Sequence, residues 1–112
     1  MATIKTKVAF LRELLALKEV IDIGQIQAAA ERNGIKHSNL SKMISDLEGR
    51  FKTTLLIRSS AGSVPTNTTR QLYADIENIS VALDNIIHNI SMISFLQGLN
   101  IGGKVYNGYT IV

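Results

Sequence analysis

Apolar residues recur along the chain at helical spacing, interrupted by one short β-favouring stretch. Val8, Leu11, Leu14, Leu15, Val20 and Ile21 predict a first helix over about Thr6–Ile21, ended by Gly24. Ile26, Ala29 and Ala30 predict a short second helix over about Gln25–Asn33, with Asn33-Gly34 as a left-handed cap. Its small residues at 28–30 let another helix approach closely. Leu40, Ile44, Leu47 and Phe51 fall at i, i+4, i+7 and i+11 and predict a third helix with Ser38 as its N-cap. Ser38, Ser41, Lys42, Ser45 and Asp46 lie off that stripe and are predicted to face out. Thr53–Arg58 favours β-structure, Ser59–Ser63 reads as a turn, and Val64-Pro65 reads as a brief return strand. Pro65 requires an edge or a strand end there.

Thr66 is a suitable N-cap for a long fourth helix. Leu72, Ile76, Ile79, Leu83, Ile86, Ile90 and Ile93 are spaced 4, 3, 4, 3, 4, 3, the seam of a coiled coil. From Asn67 to Gln97 such a helix would run about 45 Å at ~1.5 Å per residue. That length exceeds what a domain of about 60 residues can cover, so the seam is expected to pair with a second copy. Intramolecular packing is the competing reading. Ile87, Phe95, Leu96 and Leu99 broaden the apolar surface near the helix end. The tail from Gly102 to Val112 has the signals of a β-hairpin, with Asn107-Gly108 as its turn. A lone hairpin is marginal in water, so it is expected either to dock on a helix or a partner, or to stay unstructured. The resulting organisation is residues 1–66, 67–98 and 99–112: a small domain, a long helix and a tail.

Composition narrows the function. The 112 residues, 46% hydrophobic and 19% charged, suit one globular domain with an appended arm. There is no cysteine, which excludes disulfides and thiol catalysis and leaves an intracellular address unopposed. The N-terminus lacks the pattern of a signal peptide. The longest uncharged stretch, Asn85 to Gly103, carries His88, Asn89, Ser91, Ser94, Gln97 and Asn100 and is expected to be too polar for a membrane span. Residues 1–58 hold ten Lys/Arg against six acids, a net +4, whereas residues 59–112 carry a net −1. A basic half beside a near-neutral half points to a polyanion-binding module, although +4 is also ordinary for a soluble domain.

The stretch from Gly24 to Glu48 resembles the DNA-binding domain of LysR-type transcriptional regulators. Ala29-Ala30 and Leu40-Ser41-Lys42-x-Ile44-x-x-Leu47-Glu48 match that family's pattern in register and without gaps. Leu14, Leu17 and Val20 upstream match too, as do Leu55-Leu56-x-Arg58, the glycine-containing wing and Thr66 downstream. The resemblance implies a mainly α fold: a winged helix-turn-helix of three helices and a short two-stranded wing, then a long dimerisation helix. It implies a sequence-specific transcription regulator that binds double-stranded DNA at a two-fold-symmetric site as a homodimer, in a bacterial cytoplasm and on the nucleoid. It places His37, Ser38, Asn39, Ser41 and Lys42 toward the major groove, beside Lys36. Gln25 and Gln27 are placed on phosphate, and Arg58 on phosphate or in the minor groove. The seam residues Leu72, Ile76, Ile79, Leu83, Ile86, Ile90 and Ile93 would form the dimer interface.

There are departures from that pattern. Asn33 stands where the family has an apolar residue, so a looser core or altered turn is expected beneath helix 2. Ala61 replaces a second basic residue of the wing, which should weaken its grip. The family continues into a ligand-sensing domain, and the chain ends at Val112, so a regulator without that domain is expected.

His37 and His88 lie in different elements with no partner at ligand spacing, and no nucleophile–base pair or phosphate loop is present. No catalytic residue, metal or cofactor is therefore expected. Lys36, Lys42 and Lys52 are either solvated surface or phosphate contacts. RNA polymerase is a candidate partner. The alternative function is a protein-interaction module, pairing through its long helix with a related regulator and modulating it.

Overall fold

The structure is a computed structural model describing residues 2–100. It comprises α1 (Ile4–Ile23), α2 (Ile26–Arg32), α3 (His37–Phe51), β1 (Leu56–Ser59), β2 (Gly62–Pro65) and α4 (Asn67–Asn100). Three helices, a two-stranded wing and a long helix follow one another in the order expected. The chain divides into two compact units, Met1–Glu77 and Asn78–Val112. The hairpin signals at Gly102–Val112 lie outside the described residues.

The core of the first unit is drawn from its three helices, the start of β1 and the first turns of α4. Ala16, Leu17 and Val20 of α1 meet Ile26, Ala29 and Ala30 of α2, then Leu40, Ile44 and Leu47 of α3. Leu55, Leu56 and Ile76 complete it. The buried face of α1 differs from the expected stripe: Leu11, Leu14 and Leu15 are only half-buried, and Val8 is 60% exposed. This helix is apolar on most sides, so periodicity alone does not single out its inner face. Glu13 on that inner face is buried and pairs with Arg50 of α3 at 2.7 Å. Phe51, expected inside, is 52% exposed and packs edge-on against the Phe10 ring, with centroids 5.3 Å apart.

Two helix ends correct the sequence reading. α3 begins at His37, one residue early. Lys36 is its N-cap, with extended backbone and no side-chain capping bond, so Ser38 lies in the first turn rather than at the cap. The Lys36 carbonyl accepts from the N–H groups of Asn39 and Leu40. At the end of α2 the left-handed residue is Gly34, φ 65°, while Asn33 keeps φ −95°. The Ile35 N–H donates to the Ala30 carbonyl and the Gly34 N–H to that of Glu31, a complete Schellman closure. Asn33 does not alter the turn: exposed, it donates to Glu19 at 3.0 Å and to the Ala29 carbonyl at 2.8 Å.

The wing starts later than expected, at Leu56 rather than Thr53, and pairs Leu56 with Pro65 through to Ser59 with Gly62. Pro65 closes the last strand, where no ladder donor is required. The wing is seated on the α1–α2 connection. Ser63 donates its N–H to the Gly24 carbonyl at 2.7 Å, and a Cβ at Gly62 would stand 2.7 Å from that same oxygen. Gly62 also has φ 135°.

α4 enters the first unit through Thr69, Tyr73 and Ile76. Ile76, expected at the dimer seam, is only 3% exposed and belongs to the core of its own chain. Tyr73 donates to Asp22, which also accepts from Lys18 at 2.5 Å. Partial burial alone would push the Asp22 carboxyl up. The bonds from Lys18 and Tyr73 outweigh it and hold the carboxyl below its usual 3.8. The same bond to Asp22 raises Tyr73 above its usual 10.0, and that to Asp22 raises Lys18 above 10.5. By length and composition α4 over Asn67–Gly98 could cross a membrane, against the expectation that this region is too polar. Its apolar residues nonetheless keep the 4, 3 spacing, with Asn78, Asp84, Asn85 and Asn89 between them, the pattern of one-sided burial.

Two outcomes follow from these contacts. Gly62→Ala must move the wing off Gly24 and should cost at least about 2 kcal/mol in urea unfolding. A cost below ~0.5 kcal/mol would show that the seat is loose. Asp22 is depressed, so its contribution is present above the usual carboxyl pKa and fades as pH falls through the folded value. Tyr73 and Lys18 are raised, so theirs fade only as pH rises above about 10. Melting temperature should therefore be flat between about pH 5 and 9 from this cluster. Tyr73→Phe should lower the plateau by about 1 kcal/mol and shrink the acid slope; an unchanged slope would show that Tyr73 does not help hold Asp22 ionised.

Candidate nucleic-acid interface

The exposed face of α3 follows from its buried one. Leu40, Ile44 and Leu47 point into the core, so at 100° per residue Ser38, Lys42, Ser45 and Gly49 form the opposite line. Asn39 and Asp46 flank that line on one side, and Ser41 and Glu48 on the other. Ser38, Asn39, Lys42 and Ser45 are exposed, whereas Ser41 is half-buried. Lys36 and His37 are exposed at the helix start, and Gln25 and Gln27 at the start of α2. Apart from the half-buried Ser41, the structure thus places these side chains on the exposed surface of the α2–turn–α3 unit.

Several of them already have partners. Lys42 pairs with Asp46 at 2.8 Å, but both side chains are largely exposed. Such a pair is worth no more than about 0.5 kcal/mol, too little to keep Lys42 from a stronger anion. Gln27 lies 3.5 Å from Glu31, at the limit of a hydrogen bond. Gln25 is the N-cap of α2 and makes no side-chain capping bond. On the flank of Asn39 and Asp46, these two and Lys42 share an open groove of about 670 Å³ with Arg12 and Glu19 of α1.

Arg58, expected on phosphate or in the minor groove, has partners within the chain. It lies in β1, yet its guanidinium reaches back to α3, donating to Ser41 Oγ at 2.7 Å and to Ser45 Oγ at 3.4 Å. It also stands 3.9 Å from the Glu48 carboxylate. Glu48 in turn accepts from the backbone N–H groups of Leu55 at 2.8 Å and Leu56 at 3.2 Å. The C=O of Leu55 is covered from the far side by Thr69 Oγ1 at 2.8 Å and the Thr66 N–H at 3.0 Å. The α3–wing connection is therefore held at both polar groups of one buried residue. The sequence reading set Glu48 within a motif without giving it a task, and noted Ser45 only as outward-facing. The signal for both was their spacing from Ser41 along α3.

Among the described residues no three His, Asp or Glu side chains converge as metal ligands. What the surface offers is hydroxyl, amide and ammonium groups on one protruding helix, suited to hydrogen-bonding base edges and phosphates.

Comparison with known proteins bears on that surface. Residues 11–70, more than half of the chain, match the family described as bacterial regulatory helix-turn-helix protein, lysR family. The chain is 31% identical over 83 residues to the HTH-type transcriptional regulator TdcA of Escherichia coli K12, covering 74% of this chain and 27% of TdcA. It is 36% identical over 69 residues to the nitrogen assimilation regulatory protein nac of Klebsiella aerogenes, covering 62% of this chain and 23% of that protein. The chain thus spans about a quarter of the length of these relatives. The fold matches the BenM DNA-binding domain, solved in complex with benA site 1 DNA. There the TM-score is 0.65 at 24% identity, over 74% of this chain and 93% of that domain.

Glu48→Ala strips the acceptor from two buried N–H groups and should destabilise the first unit by about 2–4 kcal/mol. Glu48→Gln, which keeps one oxygen, should cost about half as much in the same denaturant titration. Equal, near-zero costs for both would show that water satisfies those groups.

Proposed function

This chain belongs to the lysR family of bacterial regulatory helix-turn-helix proteins, and on that premise we propose that it regulates transcription by binding a two-fold-symmetric DNA site as a homodimer. The observation that carries the reading is the outward line of α3, with Ser38, Lys42 and Ser45 flanked by Asn39 and Ser41 on a helix protruding from a helix-turn-helix. Inserted in the major groove, Asn39 can pair with adenine in bidentate fashion and Lys42 can reach guanine or phosphate. His37 and Ser38 meet base edges or backbone at the helix start. Lys36, Gln25 and Gln27 fix the register on phosphate, and Arg58 closes the wing side.

In this reading residues 1–66 bind DNA and residues 67–98 dimerise. Ile79, Ile86, Ile90 and Ile93 support it, since each is 40% exposed or more along one 4, 3 ladder. Ile76 drops out of that interface, because it is already used in its own core. Two recognition helices on a two-fold axis would then meet successive major grooves about 34 Å apart, or a multiple of it. The protein would act in the cytoplasm, on the nucleoid, with RNA polymerase as a further partner.

Selection of bound duplexes from a random pool tests the proposal. The expected result is a motif of two inverted half-sites about 10 base pairs apart or a multiple, with affinity falling steeply between about 50 and 200 mM salt. No enrichment over random DNA would refute it. Sedimentation of the pure chain should give a dimer that Ile86→Asp or Ile90→Asp disrupts. A monomer that pairs only with a related regulator would favour the interaction-module function instead.

A further inference from the structure

The Arg58 bridge gives Ser41 a defined hydrogen-bonding polarity. A guanidinium has donors only, so in the 2.7 Å contact Ser41 Oγ must accept. A serine hydroxyl ordinarily rotates and can offer either character to a base. With one lone pair taken by a charged donor, its hydrogen turns away from Arg58, and the polarised hydroxyl becomes a stronger donor and a weaker acceptor on its outward side. No carbonyl or side chain among the described residues accepts from it. Arg58 is itself held, with Glu48 at 3.9 Å and Ser45 at 3.4 Å, and its side chain is only 34% exposed. A nearby carboxylate also offsets the positive field that a phosphate would seek.

We propose that Arg58 is a positioning residue for base selection: it sets Ser41 as a hydrogen-bond donor that selects a base-edge acceptor in the major groove. The acceptors available there are purine N7, guanine O6 and thymine O4, and the amino groups of adenine and cytosine are disfavoured by the guanidinium charge behind the hydroxyl. Arg58 acts on base preference through Ser41 rather than by gripping phosphate. The inference rests on α3 being the helix that reads DNA.

The test compares the wild-type chain, Ser41→Ala, Arg58→Met and the double variant on duplexes drawn from a random pool, with circular dichroism and melting to establish folding. Ser41→Ala and Arg58→Met should each lose discrimination at the same base pair, on the order of tenfold. The double variant should lose no more than either one. If Arg58→Met instead weakens all duplexes alike, lowers the salt slope by about one and leaves that base preference intact, the guanidinium serves phosphate and the proposal is wrong. Should Arg58→Met fail to fold, the preferred base is replaced by an analogue lacking the acceptor, such as a 7-deazapurine where N7 is read. Wild-type affinity should fall about tenfold and that of Ser41→Ala should stay level; equal responses would overturn the proposal. If the wild-type chain selects no duplex at all, the assignment of α3 as the reading helix fails, and this inference with it.

Discussion

Leu55 sits at a point where the backbone must pass through the core without belonging to helix or sheet. Its side chain is buried, and so are the polar groups on either side of its Cα. An unpaired buried N–H or C=O there would cost about 1–3 kcal/mol each. Glu48 of α3 takes the N–H groups of Leu55 and Leu56, and Thr66 and Thr69 at the start of α4 take the carbonyl of Leu55. Leu55 therefore ties α3 to α4, and the wing grows directly from it at Leu56. The wing then has two anchors, this clamp and the close approach of Gly62 and Ser63 to Gly24.

That arrangement explains how a carboxylate sits beside the outward face of α3 without lying on it. Glu48 faces the connection and the wing, not the outward line of Ser38, Lys42 and Ser45. Arg58 lies over it and continues the hydrogen-bond chain to Ser41. The hydrogen bonds that hold the connection thus continue to Ser41 and Ser45 of α3, so a change at Glu48 reaches both.

Much of this was legible in the sequence. The 4, 3 spacing of Leu40, Ile44 and Leu47 gave the inner face of α3, and hence its outer one. Ala29-Ala30 and Gly34 gave the close helix and tight turn before it. The long helix was legible from its isoleucine ladder, but the ladder could not say where self-burial stops: Ile76 belongs to the core, while Ile79 onward is exposed. The inner face of α1 was hidden because its apolar residues surround the helix. The start of α3 was misplaced because Ser38 has good capping chemistry, whereas the cap is backbone alone at Lys36. The partners of Glu48 and Arg58 lie seven to seventeen residues away and depend on how the connection folds, which no local pattern encodes.

Amide hydrogen exchange at Leu55 and Leu56, read residue by residue by NMR in the pure chain, tests the clamp directly. Both amides lie where no strand partner accepts their hydrogen, so a loop held only by side-chain packing would exchange them quickly. The account predicts that both exchange as slowly as Leu47 in α3, through global opening of the first unit. Exchange at the rate of exposed wing residues such as Ala61 would contradict it.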